Sequence, residues 1–409
     1  MMAHLLRERM GAFIATEVNT TAALAAAPSI NSGLETARPR LGFIDGLRGL
    51  SALYVVLYHA AGDVPPPAPV PRLAAWFLQF GHYAVGIFIV LSGYCLMCPV
   101  ARSKKGVIEG GMRGYALRRM RRILPAYYAV LLLAVAAVAI VRTQYAASTV
   151  EEADVLRLTP ATLLSHLLLV HNLQPGWATA FDPPMWSVAA ECQIYVLFPL
   201  LLAPLWRRTG TLAAVAAAFA VGLAPHFLLP RQINLDWTFP WYIGLFTLGM
   251  AGAAINFSRR QEDISIRNRI PWSRVAVVLT GAFLVILAWK PDAPVARMWL
   301  PDTLLGVAVA AFLIEMAAVG TKARGVWNLA ARILESPLAQ KIGACSYSLY
   351  LLHAPILWVL SCLLDSLRLD ANAAFVVRLV LGAPLAVVLS SGFYLLVERR
   401  FMNARQAAR

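Results

Sequence analysis

The sequence predicts an all-α protein embedded in a membrane, with about ten transmembrane helices and both termini in the cytosol. Three observations carry this. Of 409 residues, 59% are hydrophobic and only 14% are charged, against about 25% charged in a soluble domain. Mean hydropathy is +0.65. The apolar residues also fall into stretches of about 20, the length that crosses the hydrocarbon core.

Ten such stretches lie at 42–61, 74–97, 123–141, 185–205, 211–229, 238–257, 275–289, 300–319, 342–364 and 373–397. Polar or proline-rich breaks separate them, as at Pro65-Pro66-Pro67 and Asp182-Pro183-Pro184. With the N-terminus inside, the inward loops hold eight, two, five and four basic residues, nineteen in all, and the outward loops seven. That asymmetry places both termini in the cytosol. Residues 1–40 carry scattered charges and no signal-peptide core, and read as a mobile cytosolic tail. Residues 41–401 form the membrane domain, and 402–409 a cytosolic tail. The expected location is the cell (inner or plasma) membrane, with multiple passes.

The net charge of +15 would suggest nucleic acid in a soluble chain; the spans exclude that reading, and positive-inside bias with a polyanionic ligand explains it instead. The five cysteines, Cys95, Cys98, Cys192, Cys345 and Cys362, lie in or beside apolar stretches and form no disulfide or zinc pattern. No metal site is expected.

Ionisable residues inside spans are costly and need a reason. The first span holds Asp45, Arg48 and His59. Arg48 and His59 are three helical turns apart, so they share one face with a rise of roughly 16 Å. Arg48 lies toward the cytosol and His59 toward the outside. The fourth span opens with Trp186-Ser187 and buries Glu191, at a depth comparable to His59; a carboxylate there would orient the imidazole and raise its basicity. The ninth span carries Ser346 and His353 near mid-membrane. His82 reads as interfacial, and His166, His171 and His226 receive no role. The densest basic run, Arg113 to Arg122, contains Arg118, Arg119 and Arg122; guanidinium forks suit phosphate oxygens, and Arg119 and Arg122 share a helix face.

Together these residues resemble the acyltransferase 3 family of integral-membrane acyltransferases. Asp45-Gly46-Leu47-Arg48-Gly49-Leu50 followed by His59 is similar to its first-span motif, an Arg and a His separated by ten residues. Gly86 through Gly93-Tyr94 resembles the Phe-x-Leu-Ser-Gly-Phe motif, with Ile89 at an aromatic position. Arg119-Met-Arg-Arg122-Ile-Leu-Pro125 resembles Arg-x-x-Arg-x-x-Pro. Trp186-Ser187 through Glu191 and Tyr195 resembles Trp-Ser-Leu-x-x-Glu-x-x-Phe-Tyr. Ile342-Gly343 through His353, and Tyr394 to Glu398, resemble the last two spans. The resemblance covers 41–401.

It implies an acyl-CoA donor, with acetyl-CoA the expected form and no permanently bound cofactor. It also implies a hydroxyl acceptor that is a carbohydrate or a glycosylated or other small molecule. His59 is then the expected general base, oriented by Glu191, with Arg48 steadying the donor or the thioester oxyanion. A covalent acyl-His intermediate is a second route that the sequence leaves open. Arg118, Arg119 and Arg122 are expected at the nucleotide phosphates. Asp45, Trp186, Ser187, Tyr195, Ser346 and His353 are expected to bind substrate or support the site. The expected partners are acyl-CoA, the acceptor and the lipid bilayer, with no nucleic acid. The competing reading is a secondary transporter or flippase of a sugar-containing substrate, which also fits ten spans and buried charges.

Overall fold

A computed structural model describes residues 41–62, 76–144, 157–230, 233, 235–289, 295–320 and 324–402. The expectations for residues 1–40 and 403–409 lie outside them. Among the described residues every regular element is helical.

Fourteen helices follow in order: α1 (Gly42–Ala61), α2 (Gly81–Arg102), α3 (Gly111–Gln144), α4 (Pro160–Leu167), α5 (Met185–Thr209), α6 (Thr211–Leu228), α7 (Tyr242–Phe257), α8 (Gln261–Arg269), α9 (Trp272–Trp289), α10 (Trp299–Val319), α11 (Val326–Leu334), α12 (Pro337–Ala344), α13 (Ser346–Ser366) and α14 (Ala371–Phe401). Nine helical stretches among the described residues are long and apolar enough to cross a membrane. Helix α1, with Asp45 and Arg48 in its first two turns, is not one of them; with it the ten expected spans are all present as helices. The chain is therefore a polytopic all-α membrane protein.

Most boundaries fall within a few residues of expectation. The third span differs: α3 begins at Gly111, twelve residues before its apolar stretch, because the Arg-rich run is itself helical. The basic cluster thus projects from a rigid helix rather than a loop. Helix α5 contains a π turn at Phe198–Leu202, and α14 contains π turns at Arg378–Gly382 and Tyr394–Glu398. Such turns add a residue to the ladder and re-aim the side chains beyond it.

Without a hydrophobic drive between helices in lipid, close packing must come from small residues. The pair at the centre of the bundle, α2 and α7, obeys this. A Cβ on Gly93 would lie 1.9 Å from the Phe246 carbonyl oxygen, and one on Gly249 1.9 Å from that of Val90. Helix α1 is gripped the same way: a Cβ on Gly46 would meet the Leu334 carbonyl at 1.8 Å, and one on Gly343 that of Asp45 at 2.0 Å. Beyond these contacts Ala52, Val56 and Ala60 pack with Ile342, Leu349, Leu357, Ala383 and Ala386. Helix α1 is thereby seated against α12, α13 and α14, and its polar face is aimed inward.

Gly93→Ala and Gly249→Ala should each force α2 and α7 apart and cost about 1–3 kcal/mol or more, lowering folded yield and unfolding temperature in detergent. Gly281→Ala on α9, where a Cβ meets nothing within 4 Å, is the matched control and should be tolerated.

Candidate functional site

Two clusters occupy opposite ends of the face of α1. At the basic end, Arg48 is half-buried and interacts electrostatically with Asp45, Tyr195 and Glu191. Arg122 on α3 neighbours Arg48, Arg119 and Glu398. The Arg119 guanidinium sits over the Tyr195 ring, 6.0 Å from its centroid. Glu398 ends the last π turn of α14, is 2% exposed and accepts from the Ser348 hydroxyl at 2.6 Å. Arg48 and the Arg119–Arg122 pair, far apart in the chain, are thus gathered with carboxylates from three helices. Arg118 is not part of this group: its guanidinium donates to the Glu109 carbonyl at 2.7 Å and braces the loop before α3. Arg113 and Arg121 are exposed on the same helix.

Glu191 is placed differently from expectation. Its carboxylate accepts from the Ser92 and Tyr195 hydroxyls, and it neighbours Arg48. Ser92 lies ten residues along α2 from His82, ~15 Å at helical rise, and the start of α2 is level with the far end of α1: a Cβ on Gly81 would press on the Tyr58 ring, 2.3 Å away. Glu191 therefore belongs to the basic end. Depth counted along α5 alone misled, because the segment before Met185 dips into the bundle and α5 starts deep.

The residue that holds His59 is His353. Its Nε2 lies 3.2 Å from His59 Nδ1, and the ring centroids are 4.9 Å apart. His353 Nδ1 is 3.2 Å from the Leu349 carbonyl. A carbonyl only accepts, so neutral His353 carries its proton on Nδ1 and accepts at Nε2. His59 then carries its proton on Nδ1, shared with the Val55 carbonyl at 3.0 Å, and Nε2 becomes its basic nitrogen. His353 is fully buried, whereas His59 keeps an exposed edge. One turn below His353, Tyr350 meets the Ser187 hydroxyl at 2.6 Å. Ser346 is buried at the start of α13. Arg378, which the sequence did not single out, donates from Nε to the Ala60 carbonyl at 3.2 Å and caps α1 beside His59.

His82, read from the sequence as interfacial, has a buried partner. His82 Nε2 lies 3.1 Å from both oxygens of Asp302, and the Trp241 indole donates to Asp302 at 2.8 Å. The missed signal was an aspartate at the very start of an apolar stretch. Trp186 stacks on Phe239, with centroids 4.9 Å apart and planes at 29°.

The segment between α3 and α5 is more than a connector. His166 and His171 stack at 3.8 Å, and Gln193 donates to Asn172 at 2.7 Å. Asp182 is 1% exposed, with no hydrogen-bond partner for either carboxylate oxygen among the described residues. No group of three His, Cys, Asp or Glu suited to a metal occurs among the described residues.

A bundle of ten span-length helices carrying paired imidazoles at one end and clustered guanidiniums at the other is a polytopic membrane protein with an interior polar site. The chain belongs to the acyltransferase 3 family, whose acyltransferase-domain profile matches residues 41–395. It is similar to a Staphylococcus aureus (strain COL) protein named a putative O-acetyltransferase, at 20% identity over 77% of this chain and 50% of that one. A Komagataeibacter xylinus protein named a putative membrane-bound transacylase shares 26% identity over 89% of this chain and 84% of its own. A Bacillus subtilis protein named a putative peptidoglycan O-acetyltransferase shares 25% over 39% and 23%. The chain spans half the length of the S. aureus relatives it matches. No solved structure matches.

Burial holds the Asp182 carboxyl well above its ordinary 3.8. Unfolded, it ionises above that value; folded, it keeps its proton, so stability falls as pH rises toward the folded value. Burial, with His166 beside it, pushes His171 down from 6.5 to about 3, which costs stability only as pH falls below 6.5. Above about pH 6.5, where His171 no longer contributes, Asp182→Asn should therefore flatten the pH dependence of the unfolding temperature and raise that temperature. An unchanged slope in differential scanning fluorimetry would contradict this.

Proposed function

We propose that the chain is an acyltransferase that moves an acyl group, acetyl in the expected case, from acyl-CoA to a hydroxyl of a carbohydrate or other small molecule. The observation that carries the reading is the single face of α1, with Arg48 inside the Arg119–Arg122 cluster at one end and His59, its tautomer set by His353, at the other. Family membership and the names of the relatives supply the transfer class.

The exposed Arg113 and Arg121, with Arg119 and Arg122, receive the nucleotide phosphates of the donor, because fork-shaped guanidiniums match phosphate oxygens. The inner guanidiniums are already opposed by Glu191 and Glu398, so the surplus positive charge lies on the exposed part of α3. The excess of basic residues supports a cytosolic position for this end, where acyl-CoA is made. The pantetheine arm, roughly as long as three or four helical turns, then rises along α1 past Arg48.

At the far end, His59 Nε2 takes the proton of the acceptor hydroxyl as its oxygen attacks the thioester carbonyl. The carbon–sulfur bond breaks, the CoA thiolate leaves, and the imidazolium returns a proton to it. The products are the ester and CoA. His353 accepts the Nδ1 hydrogen of His59 throughout, so the basic nitrogen stays on the reacting side.

His59→Ala should lower acyl transfer by about 10²–10⁴-fold in protein that still elutes as a folded species; near-normal turnover would remove His59 from the chemistry. Arg113→Ala combined with Arg121→Ala, at the two exposed guanidiniums of α3, should raise the donor KM much more than it lowers kcat. An unaltered donor KM, measured by thiol release from acetyl-CoA, would refute the phosphate site.

A further inference from the structure

The His82 cluster lies next to the transfer site without belonging to it. Its geometry is that of a built recognition surface. Asp302 is buried completely, whereas the His82 side chain is 19% exposed. A carboxylate accepts, so His82 Nε2–H donates to it and Nδ1 becomes the ring's accepting nitrogen on the far side. Beside the imidazole stands a wall of rings. Phe239 lies 4.9 Å from His82 at 35°, 4.9 Å from Trp186 at 29° and 5.3 Å from Tyr242 at 27°. Phe239 adopts φ 51°, a left-handed conformation costly for a bulky residue. Trp186 and Phe239 are half-buried, so part of the wall stays uncovered.

Tyr242 supplies an independent sign. It is 1% exposed, and its hydroxyl has no hydrogen-bond partner among the described residues. The hydroxyl lies within electrostatic reach of both Asp302 and Tyr350. A buried hydroxyl left without a partner is destabilising, and a bound polar group relieves it. Continuity with His59 runs through neighbours already described. Trp186 adjoins Ser187, Ser187 meets Tyr350, and the Tyr350 ring lies 5.8 Å from His353, which holds His59.

We propose that this wall is the acceptor-binding site, an inference that rests on the acyl-transfer reading above. A cyclic polyol lays the C–H face of its ring on Trp186 and Phe239. Hydroxyls flanking the reacting one bond His82 Nδ1 and the Tyr242 hydroxyl, and the reacting hydroxyl is thereby turned toward His59. Asp302 is a positioning residue that fixes the His82 tautomer. Flat aromatic faces select a ring over an open chain of equal hydroxyl count, because only the ring presents a continuous apolar face.

The test uses the full-length protein in nanodiscs with acetyl-CoA, following thiol release and ester formation. The acceptors are methyl β-D-glucopyranoside, cellobiose and N,N′-diacetylchitobiose, set against open-chain sorbitol and 1-octanol. At least one cyclic acceptor should be acylated with a kcat/KM at least tenfold above either open-chain alcohol. Trp186→Leu should raise that acceptor's KM about tenfold and leave the donor KM within twofold, and Trp186→Phe should restore it. His82→Gln should raise the acceptor KM with kcat largely recovered at saturation. Preference for an open-chain alcohol overturns the proposal, as does thioester cleavage that no cyclic acceptor accelerates. A His82→Gln loss confined to kcat overturns it too, since that marks a base rather than a binding group. Absence of thioester cleavage by the wild-type protein under any condition brings down the transfer reading, and this site with it.

Discussion

Guanidinium groups inside a membrane bundle are tolerable only where opposite charge and hydrogen bonds replace water, and much of this molecule follows from meeting that demand around Arg48. Desolvating an ion costs several kcal/mol, and the cost is recovered only in good geometry. Here Asp45, Glu191 and Glu398 arrive from α1, α5 and α14 to oppose Arg48, Arg119 and Arg122. Two of these carboxylates are held in turn: Glu191 by the Ser92 and Tyr195 hydroxyls, Glu398 by Ser348. The glycine contacts of α1 and the π turn at Tyr394–Glu398 serve the same end, because they bring these charges within range of one another.

At the opposite end the two imidazoles are given different partners. His59 leans on a second neutral ring, His353, which sets a tautomer without adding charge. His82 leans on a carboxylate, which fixes the opposite tautomer, with the proton on Nε2. Groups of one chemical type are commonly driven to separate roles by such differences in surroundings. The proposed mechanism gives proton transfer to the ring without a fixed counter-ion and recognition to the ring anchored by Asp302. The aromatic residues between them, Trp186 and Tyr350, hold both sites to one side of the bundle.

The sites were legible in the sequence to unequal degrees. The Arg48–His59 relation could be read because both residues lie on one helix, whose 3.6-residue period alone sets their face and separation. The Arg119–Arg122 pair was readable for the same reason. Glu191 was not: its partner depended on how far α5 sinks relative to α1 and α2, which the folded-in segment at 171–184 decides. His353 was noticed but its role was not, since its Nε2 meets His59 only after two helices 294 residues apart are packed together. His82 and Asp302 are separated by 220 residues and stood at the edges of apolar stretches, where a polar residue ordinarily needs no explanation.

By itself the sequence determined the solvent, the all-α polytopic architecture, the helix face that Arg48 and His59 share, and the family. Hydropathy and helical period are local properties, legible in short windows of chain. Only the tertiary structure decided which carboxylate meets which cation, which ring orients His59, and that His82 has a buried aspartate behind it. Those pairings depend on the relative depth and rotation of helices. In lipid, these are set by backbone-to-backbone contacts at Gly46, Gly93, Gly249 and Gly343 and by π turns, features whose consequences no single stretch of sequence contains.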